Sequence, residues 1–179
     1  PFMQRETVRG VRRSPLHDEV AAAGAVFGEL AGWERANWYA PTGADAAYDH
    51  SYGKAKWFEH WEAEHRAVRD EVGIFDLSSF GKLLVQGRDA GALLQQLSAN
   101  DVDGEPGRTV YTQWLNERGG IEADVTVTKL DDGQYLVQTA AATVVREMDR
   151  IRKNVADRFV TVADVSAGAA MLSVMGPRS

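Results

Sequence analysis

The chain has 179 residues, 44% of them apolar, and its 26 acidic against 20 basic side chains leave a net charge of −6. That length suits one domain with a real core, the acidic surplus excludes a nucleic-acid partner held by a basic surface, and no run of about 18 apolar residues exists to span a membrane. Zero cysteines exclude disulfides, thiolate metal sites and cysteine nucleophiles, and without a signal peptide the chain reads as cytoplasmic.

Residues 1–13 carry Arg5, Arg9, Arg12 and Arg13 against Glu6 and read as a solvated arm or linker, with a phosphate-contacting arm as the alternative. Ser14-Pro15 resembles an N-cap followed by proline at the first helical position, so a short helix is predicted through Ala23, ended by Gly24. Ala25 to Trp33 reads as a strand and turn. Residues 37–58 are rich in Trp, Tyr, Pro and Gly without a clean period, and are predicted to form an ordered loop with aromatic anchors. Trp57 to Val72 has the helical period, with Trp57, Trp61, Ala67 or Val68, and Val72 near one face and Gly73 at the left-handed position that ends the helix.

Ile74 to Gln86 reads as strand material broken by Ser78-Ser79, and Asp89 to Leu97 as a helix burying Leu93, Leu94 and Leu97. A turn-rich connection, Asn100 to Gly107, leads into the clearest signal. Val110 to Leu115 and Ile121 to Leu130 form a hairpin across Asn116-Glu117-Arg118-Gly119-Gly120, whose residues tolerate positive φ. Val125-Thr126-Val127-Thr128 alternates strictly, valines to one side and threonines to the other. Asp131-Asp132-Gly133 makes the next turn and Gln134 to Thr139 the next strand. Thr143 to Val155 is an amphipathic helix using Val144, Met148, Ile151 and Val155, and Val160 to Val165 and Ala170 to Met175 close the chain as strands. Helices and strands mix without βαβ spacing, so the fold class is α+β with a mainly antiparallel sheet and packed helices.

No Walker motif and no Gly-x-Gly-x-x-Gly after a strand is present, so a nucleotide or flavin site within this chain is not expected. His60 and His65 lie about 140° apart on a helix, which unsuits them to share a metal; His17 and His50 lack ligand spacing, and no metal site is expected. Ser78 and Ser79 after Asp76-Leu77 read as turn or bulge residues without a placed histidine. Trp33, Trp38, Trp57, Trp61 and Trp114 read as packing anchors, with stacking on a planar ligand as the alternative. Asp124 stands at the head of a strand beside a buried face. Either it caps the turn, or, partly desolvated, it pairs with a cation or moves a proton.

Several blocks, in order from about residue 14, resemble the folate-binding T-protein family: the aminomethyltransferases of glycine cleavage and the C-terminal domains of dimethylglycine and sarcosine dehydrogenases. These are Ser14-Pro15-Leu16-His17, Gly32-Trp33-Glu34-Arg35-Ala36-Asn37-Trp38-Tyr39, Glu64-His65-Arg66-Ala67-Val68-Arg69, Val72-Gly73-Ile74-Phe75-Asp76-Leu77-Ser78, Tyr111 through Val127, and Val174-Met175-Gly176-Pro177-Arg178-Ser179. The Trp-Glu-Arg-Ala-Asn-Trp-Tyr form is more similar to the flavin-linked amine dehydrogenases.

The resemblance implies that residues 14–179 are the N-terminal portion of a domain in which tetrahydrofolate captures a one-carbon unit from an amine-derived small-molecule donor, giving 5,10-methylenetetrahydrofolate. FAD would belong to a preceding domain of the same polypeptide, with residues 1–13 the tail of a linker. Asp124 matches the family's catalytic aspartate, near the folate N10 atom, and Tyr111 a tyrosine lining the pterin pocket, so both are expected to bind folate. The family's Asp-Asp pair is Ala123-Asp124 here, and Thr139-Ala140-Ala141-Ala142 stands where asparagines are common. A non-catalytic folate-binding or regulatory module, or a structural domain supporting a flavin oxidoreductase, are the alternatives. Pro1 in place of an initiator methionine, and a stop at Gly176-Pro177-Arg178-Ser179 just after a strand, read as a piece of a longer protein, a processed or recut chain being the other reading.

Overall fold

A computed structural model describes residues 7, 9–47 and 52–179; Arg5, Glu6 and His50 lie outside the described residues. In chain order the elements are α1 (His17–Ala22), β1 (Ala25–Leu30), β2 (Trp33–Tyr39), α2 (Phe58–Asp70), β3 (Gly73–Asp76), β4 (Gly81–Gln86) and α3 (Ala90–Leu97). Then follow β5 (Thr109–Leu115), β6 (Ile121–Asp131), β7 (Gln134–Thr139), α4 (Val144–Lys153), β8 (Thr161–Asp164) and β9 (Leu172–Met175). Among the described residues every pairing between these strands is antiparallel, so the α+β class holds. The chain divides into two compact units, residues 80–169 and residues 1–79 with 170–179.

The unit of residues 80–169 is a five-stranded sheet in the order β5-β6-β7-β4-β8. Side chains alternate across a strand, and the odd-numbered positions of β6, Ala123, Val125 and Val127, are buried, as are Leu83 and Val85 of β4 and Tyr135 and Val137 of β7. Leu93, Leu94 and Leu97 of α3 and Ile151 of α4 complete the same core, with Val144, Met148 and Val155 packed against it. Each such side chain contributes about 1.5–3 kcal/mol of burial, so the predicted helical faces and the valine face are borne out. A Lys129–Asp103–Tyr135 group stands at one margin: Lys129 Nζ donates to Asp103 at 3.0 Å and the Tyr135 hydroxyl donates to the same carboxylate.

The predicted hairpin is β5–β6. In its loop the Asn116 side-chain oxygen accepts from the amides of Arg118 and Gly120 at 3.0 and 2.9 Å. Gly119 takes φ +77°, the left-handed conformation that glycine adopts without a Cβ penalty. A bulge between Trp114↔Ala123 and Leu115↔Ile121 leaves Glu122 as the extra residue.

The other unit holds two antiparallel two-stranded sheets, β1-β2 and β3-β9. Here the structure corrects several expectations. Residues 37–39 belong to β2 rather than to the start of a loop, because Trp33, Glu34 and Trp38 of that strand pack inward while it pairs with β1. Of the arginines near the N-terminus, Arg9 is docked, and Arg12, though exposed, packs on a ring. Arg9 binds Glu34 at 2.8 and 2.7 Å, and Arg12 lies 4.5 Å from the Trp33 ring centroid. Helix α1 starts at His17, later than its predicted cap; Ser14 Oγ accepts from the Leu16 amide at 3.2 Å and donates to Asp76. The apolar stripe of α2 is not buried: no residue of that helix is, and Trp61 and Val72 are exposed. Gly73 does not end α2 with a positive φ. It opens β3, and what restricts it is the Val68 side chain, 2.6 Å from where a Cβ would lie.

Candidate functional site

Strand parity builds the site. In the β5–β6 register Gln113 pairs with Asp124 and Tyr111 with Thr126. Thr112, Trp114, Ala123 and Val125, the alternate positions, are buried in the core. Tyr111, Gln113 and Asp124 therefore share the opposite face of the sheet, where Tyr111 and Asp124 are exposed.

The two residues named from sequence are in direct contact. The Tyr111 hydroxyl donates to Asp124 Oδ1 at 2.8 Å, a diagonal cross-strand pair. Gln113 Nε2 donates to the same oxygen at 2.9 Å. The edge of β5 is braced by residues 98–100. Asn100 Nδ2 donates to the Tyr111 carbonyl at 2.8 Å and the Ala99 amide to the Gln113 carbonyl at 2.9 Å. The Trp114 indole reaches Ser98 Oγ at 3.2 Å.

The electrostatics correct one expectation. Asp124 is not a desolvated carboxyl at the head of a strand; it is the fourth residue of β6 and exposed. Its pKa is held below the ordinary carboxylate value, first by the Gln113 amide and second by the Tyr111 hydroxyl, with slight burial opposing. Both donors favour the ionised form because they bond to the charge. Tyr111 is pushed up, chiefly because it donates to that carboxylate. At neutral pH the pair is a carboxylate and a protonated phenol.

Two departures noted in the sequence take on meaning here. Position 123 points into the core, so Ala123 removes no acid from the open face. The second departure begins where β7 ends at Thr139; Gln138, the partner of Thr126, is the last amide side chain of β7 on the face of Asp124, and no hydrogen bond from it to Asp124 is seen among the described residues.

A separate hollow of about 590 Å³ lies within the unit of residues 1–79 and 170–179, lined by Glu34, Tyr39, Trp61, Glu64, Phe75 and Asp76 among others. Its carboxylates are engaged internally. Glu34 holds Arg9 and the Gly10 amide, Glu64 accepts the Tyr39 amide at 2.8 Å, and Asp76 accepts from Ser14 and from the Ser78 amide. Ser78 and Ser79 are buried turn residues, as their sequence context predicts. His60 stacks on Trp38 at 5.6 Å and His65 meets the edge of Trp61 at 4.4 Å. Among the described residues no three His, Asp or Glu side chains are placed to hold a metal, and no helix is long and apolar enough to cross a membrane.

Fold and site together define an α+β domain that displays a tyrosine-held carboxylate on an antiparallel sheet. The chain belongs to the family described as the GCVT N-terminal domain, whose model matches residues 16–179. It is 43% identical over its whole length to 4-methylaminobutanoate oxidase (formaldehyde-forming) of Paenarthrobacter nicotinovorans, and spans 22% of that protein. It is 31% identical to mitochondrial sarcosine dehydrogenase of Mus musculus, an alignment covering 96% of this chain and 23% of the relative. The chain thus spans under a quarter of the length of both. A likeness in fold alone links it to glycine cleavage system aminomethyltransferase T from Bartonella henselae: TM-score 0.74, 24% identity, 94% of this chain and 42% of the other. The family supports an enzymatic one-carbon transfer domain.

Gln113 is the site residue that sequence reasoning missed. Its signal was present: it lies two residues beyond Tyr111 on a strand, hence on the same face, and opposite Asp124 once the hairpin register is drawn.

Proposed function

We propose that this chain is the N-terminal part of a tetrahydrofolate-dependent one-carbon transfer domain, within a polypeptide that also carries a flavin-dependent domain oxidising an N-methyl amine. The observation that carries the reading is the ionised Asp124, held by Tyr111 and Gln113 on the open face of a GCVT-family sheet. Similarity to an oxidase and a dehydrogenase of methylated amines, each far longer than this chain, supports the wider context. The one-carbon donor is then a small molecule derived from the amine, and the setting cytoplasmic.

The residues fit such a ligand. Oδ1 of Asp124 is taken by two neutral donors, and no hydrogen bond to Oδ2 is seen among the described residues. A fixed negative charge with one open oxygen suits a site where a nitrogen gains positive character. Tetrahydrofolate, when bound, supplies the nitrogens that take up the one-carbon unit. Asp124 stabilises positive charge placed against Oδ2 and accepts a proton there. Its lowered pKa makes it a base and electrostatic group at neutral pH rather than a proton donor. Tyr111 keeps the carboxylate in one rotamer and offers a half-exposed ring for a planar group.

In the intact protein, Asp124→Ala is expected to lower tetrahydrofolate-dependent capture of the one-carbon unit about 100-fold or more, leaving amine oxidation in place. Free formaldehyde then rises as capture falls. Unchanged capture in the variant overturns the role of Asp124. Absence of tetrahydrofolate binding in the unaltered protein overturns the function, and favours a regulatory or structural domain.

A further inference from the structure

We propose that Gln113 is a positioning residue for Asp124, selecting which of its two carboxylate oxygens faces a ligand. The inference rests on the proposed role of Asp124 and deepens it. Gln113 stands directly opposite Asp124 in the β5–β6 register, and its amide donates to Oδ1 at 2.9 Å, while the Tyr111 hydroxyl reaches that same atom at 2.8 Å. Two donors approaching from β5 converge on one oxygen. They lock the carboxylate plane and turn Oδ2 away from β5. On the other flank β7 ends at Thr139, and no hydrogen bond from it to the Asp124 carboxylate is seen among the described residues. Oδ2 is thereby the oxygen left for a ligand.

A carboxylate free to rotate would present either oxygen and lose part of its geometric specificity. The Gln113 backbone is held as well: the Ala99 amide donates to its carbonyl, and Trp114, the next residue, is fully buried. The side chain therefore starts from a fixed root. Glutamine suits this task because its amide donates without a charge. A lysine or arginine in its place would neutralise the carboxylate that the site needs. Among the described residues the hydrogen bonds to the Asp124 carboxylate come from two neutral side chains of β5, Tyr111 and Gln113, and no ion pair to it is seen. The lowered pKa of Asp124, for which the Gln113 amide is the largest cause, agrees with the geometry.

The test uses the intact protein labelled with 13C at aspartate carboxyl carbons, the Asp124 resonance being assigned with Asp124→Asn. Titration is compared in unaltered protein, Gln113→Leu and Gln113→Glu. Leucine removes the donor, and glutamate replaces it with a like charge. The expected order of Asp124 pKa is unaltered lowest, leucine intermediate, glutamate highest, with the acidic limb of tetrahydrofolate-dependent capture moving up in the same order. In Gln113→Leu, kcat for capture is expected to fall more than about five-fold while KM changes less than two-fold, the pattern of lost orientation. An unmoved Asp124 titration in a folded Gln113→Leu overturns the proposal even if capture persists. A titration that moves in a protein showing no tetrahydrofolate dependence upholds the positioning contact and overturns the one-carbon reading instead.

Discussion

The two units of this chain use apolar residues in different ways. In residues 80–169 the alternating positions of the strands and the stripes of α3 and α4 meet, and Leu83, Val85, Leu93, Val127 and Ile151 lose all their solvent exposure. In residues 1–79 with 170–179 the patterns are as regular, yet α2 buries none of its residues and the β3–β9 ribbon leaves Ile74, Leu172, Val174 and Met175 half-exposed or more. The large side chains buried there, Trp33 and Trp38 with Glu34 between them, are organised by ring contacts and by the Arg9–Glu34 pair. The difference teaches that hydrophobic period reports which face of an element is apolar, while burial needs a second element to cover that face.

The largest expected effect breaks this comparison most directly. Trp114→Ala, in the closed core and fully buried, is expected to cost about 3–5 kcal/mol, whereas Trp61→Ala, 45% exposed on α2, costs less than about 1 kcal/mol. Chemical denaturation of both variants measures the gap; equal losses would mean that the α2 face is as well covered as the sheet core.

The next two expectations separate the units by pH. Glu34 is held below its ordinary value, first by the hydrogen bond from Arg9. Its contribution is present above the unfolded glutamate value, about 4.3, and is lost as pH falls through the lowered folded value. Glu34→Gln is expected to flatten that acid-side loss and, by leaving Arg9 without its carboxylate, to cost about 1–3 kcal/mol at neutral pH. In the sheet unit, burial and the Asp103 carboxylate push Tyr135 up to about 12. Its contribution is complete below the unfolded tyrosine value, about 10, and disappears as pH rises through 12. Denaturation between pH 9 and 12 is expected to show a steeper decline for the unaltered chain than for Tyr135→Phe, and identical slopes would refute the assignment.

The smallest effect concerns the hairpin. Gly119→Ala forces a Cβ into a left-handed backbone with open space around it, so a loss of about 1 kcal/mol is expected without any clash. A melting curve unchanged within error would show that the loop relaxes to another turn.

Much of the sheet unit was legible because its signals are local. Val125-Thr126-Val127-Thr128 specifies two faces by parity, and Asn116 to Gly120 supplies the residues that a turn requires. Tyr111 and Asp124 were each singled out by resemblance, and the hydrogen bond between them, at 2.8 Å, emerged only in the structure. Less legible was the region around β2. Glu34, Arg35 and Asn37 break any simple alternation, and Glu34 is buried only because Arg9, 25 residues earlier, folds back to pair with it. The ending of α2 was misplaced for a similar reason: glycine at position 73 looked like a helix terminator, but it is restricted by contact with Val68 at the start of β3.

By itself the sequence determined the α+β class, the hairpin, the helical faces of α3 and α4 and the family to which the chain belongs. These follow from side-chain period, turn chemistry and ordered blocks, all of which lie along the chain. Only the tertiary structure decided which apolar faces were covered, that Asp124 is exposed and held ionised by neutral donors rather than partly desolvated, and that Gln113 joins it. Those outcomes depend on register and on what packs across a strand or helix, and the physical reason is that desolvation and hydrogen bonding are properties of neighbours in space.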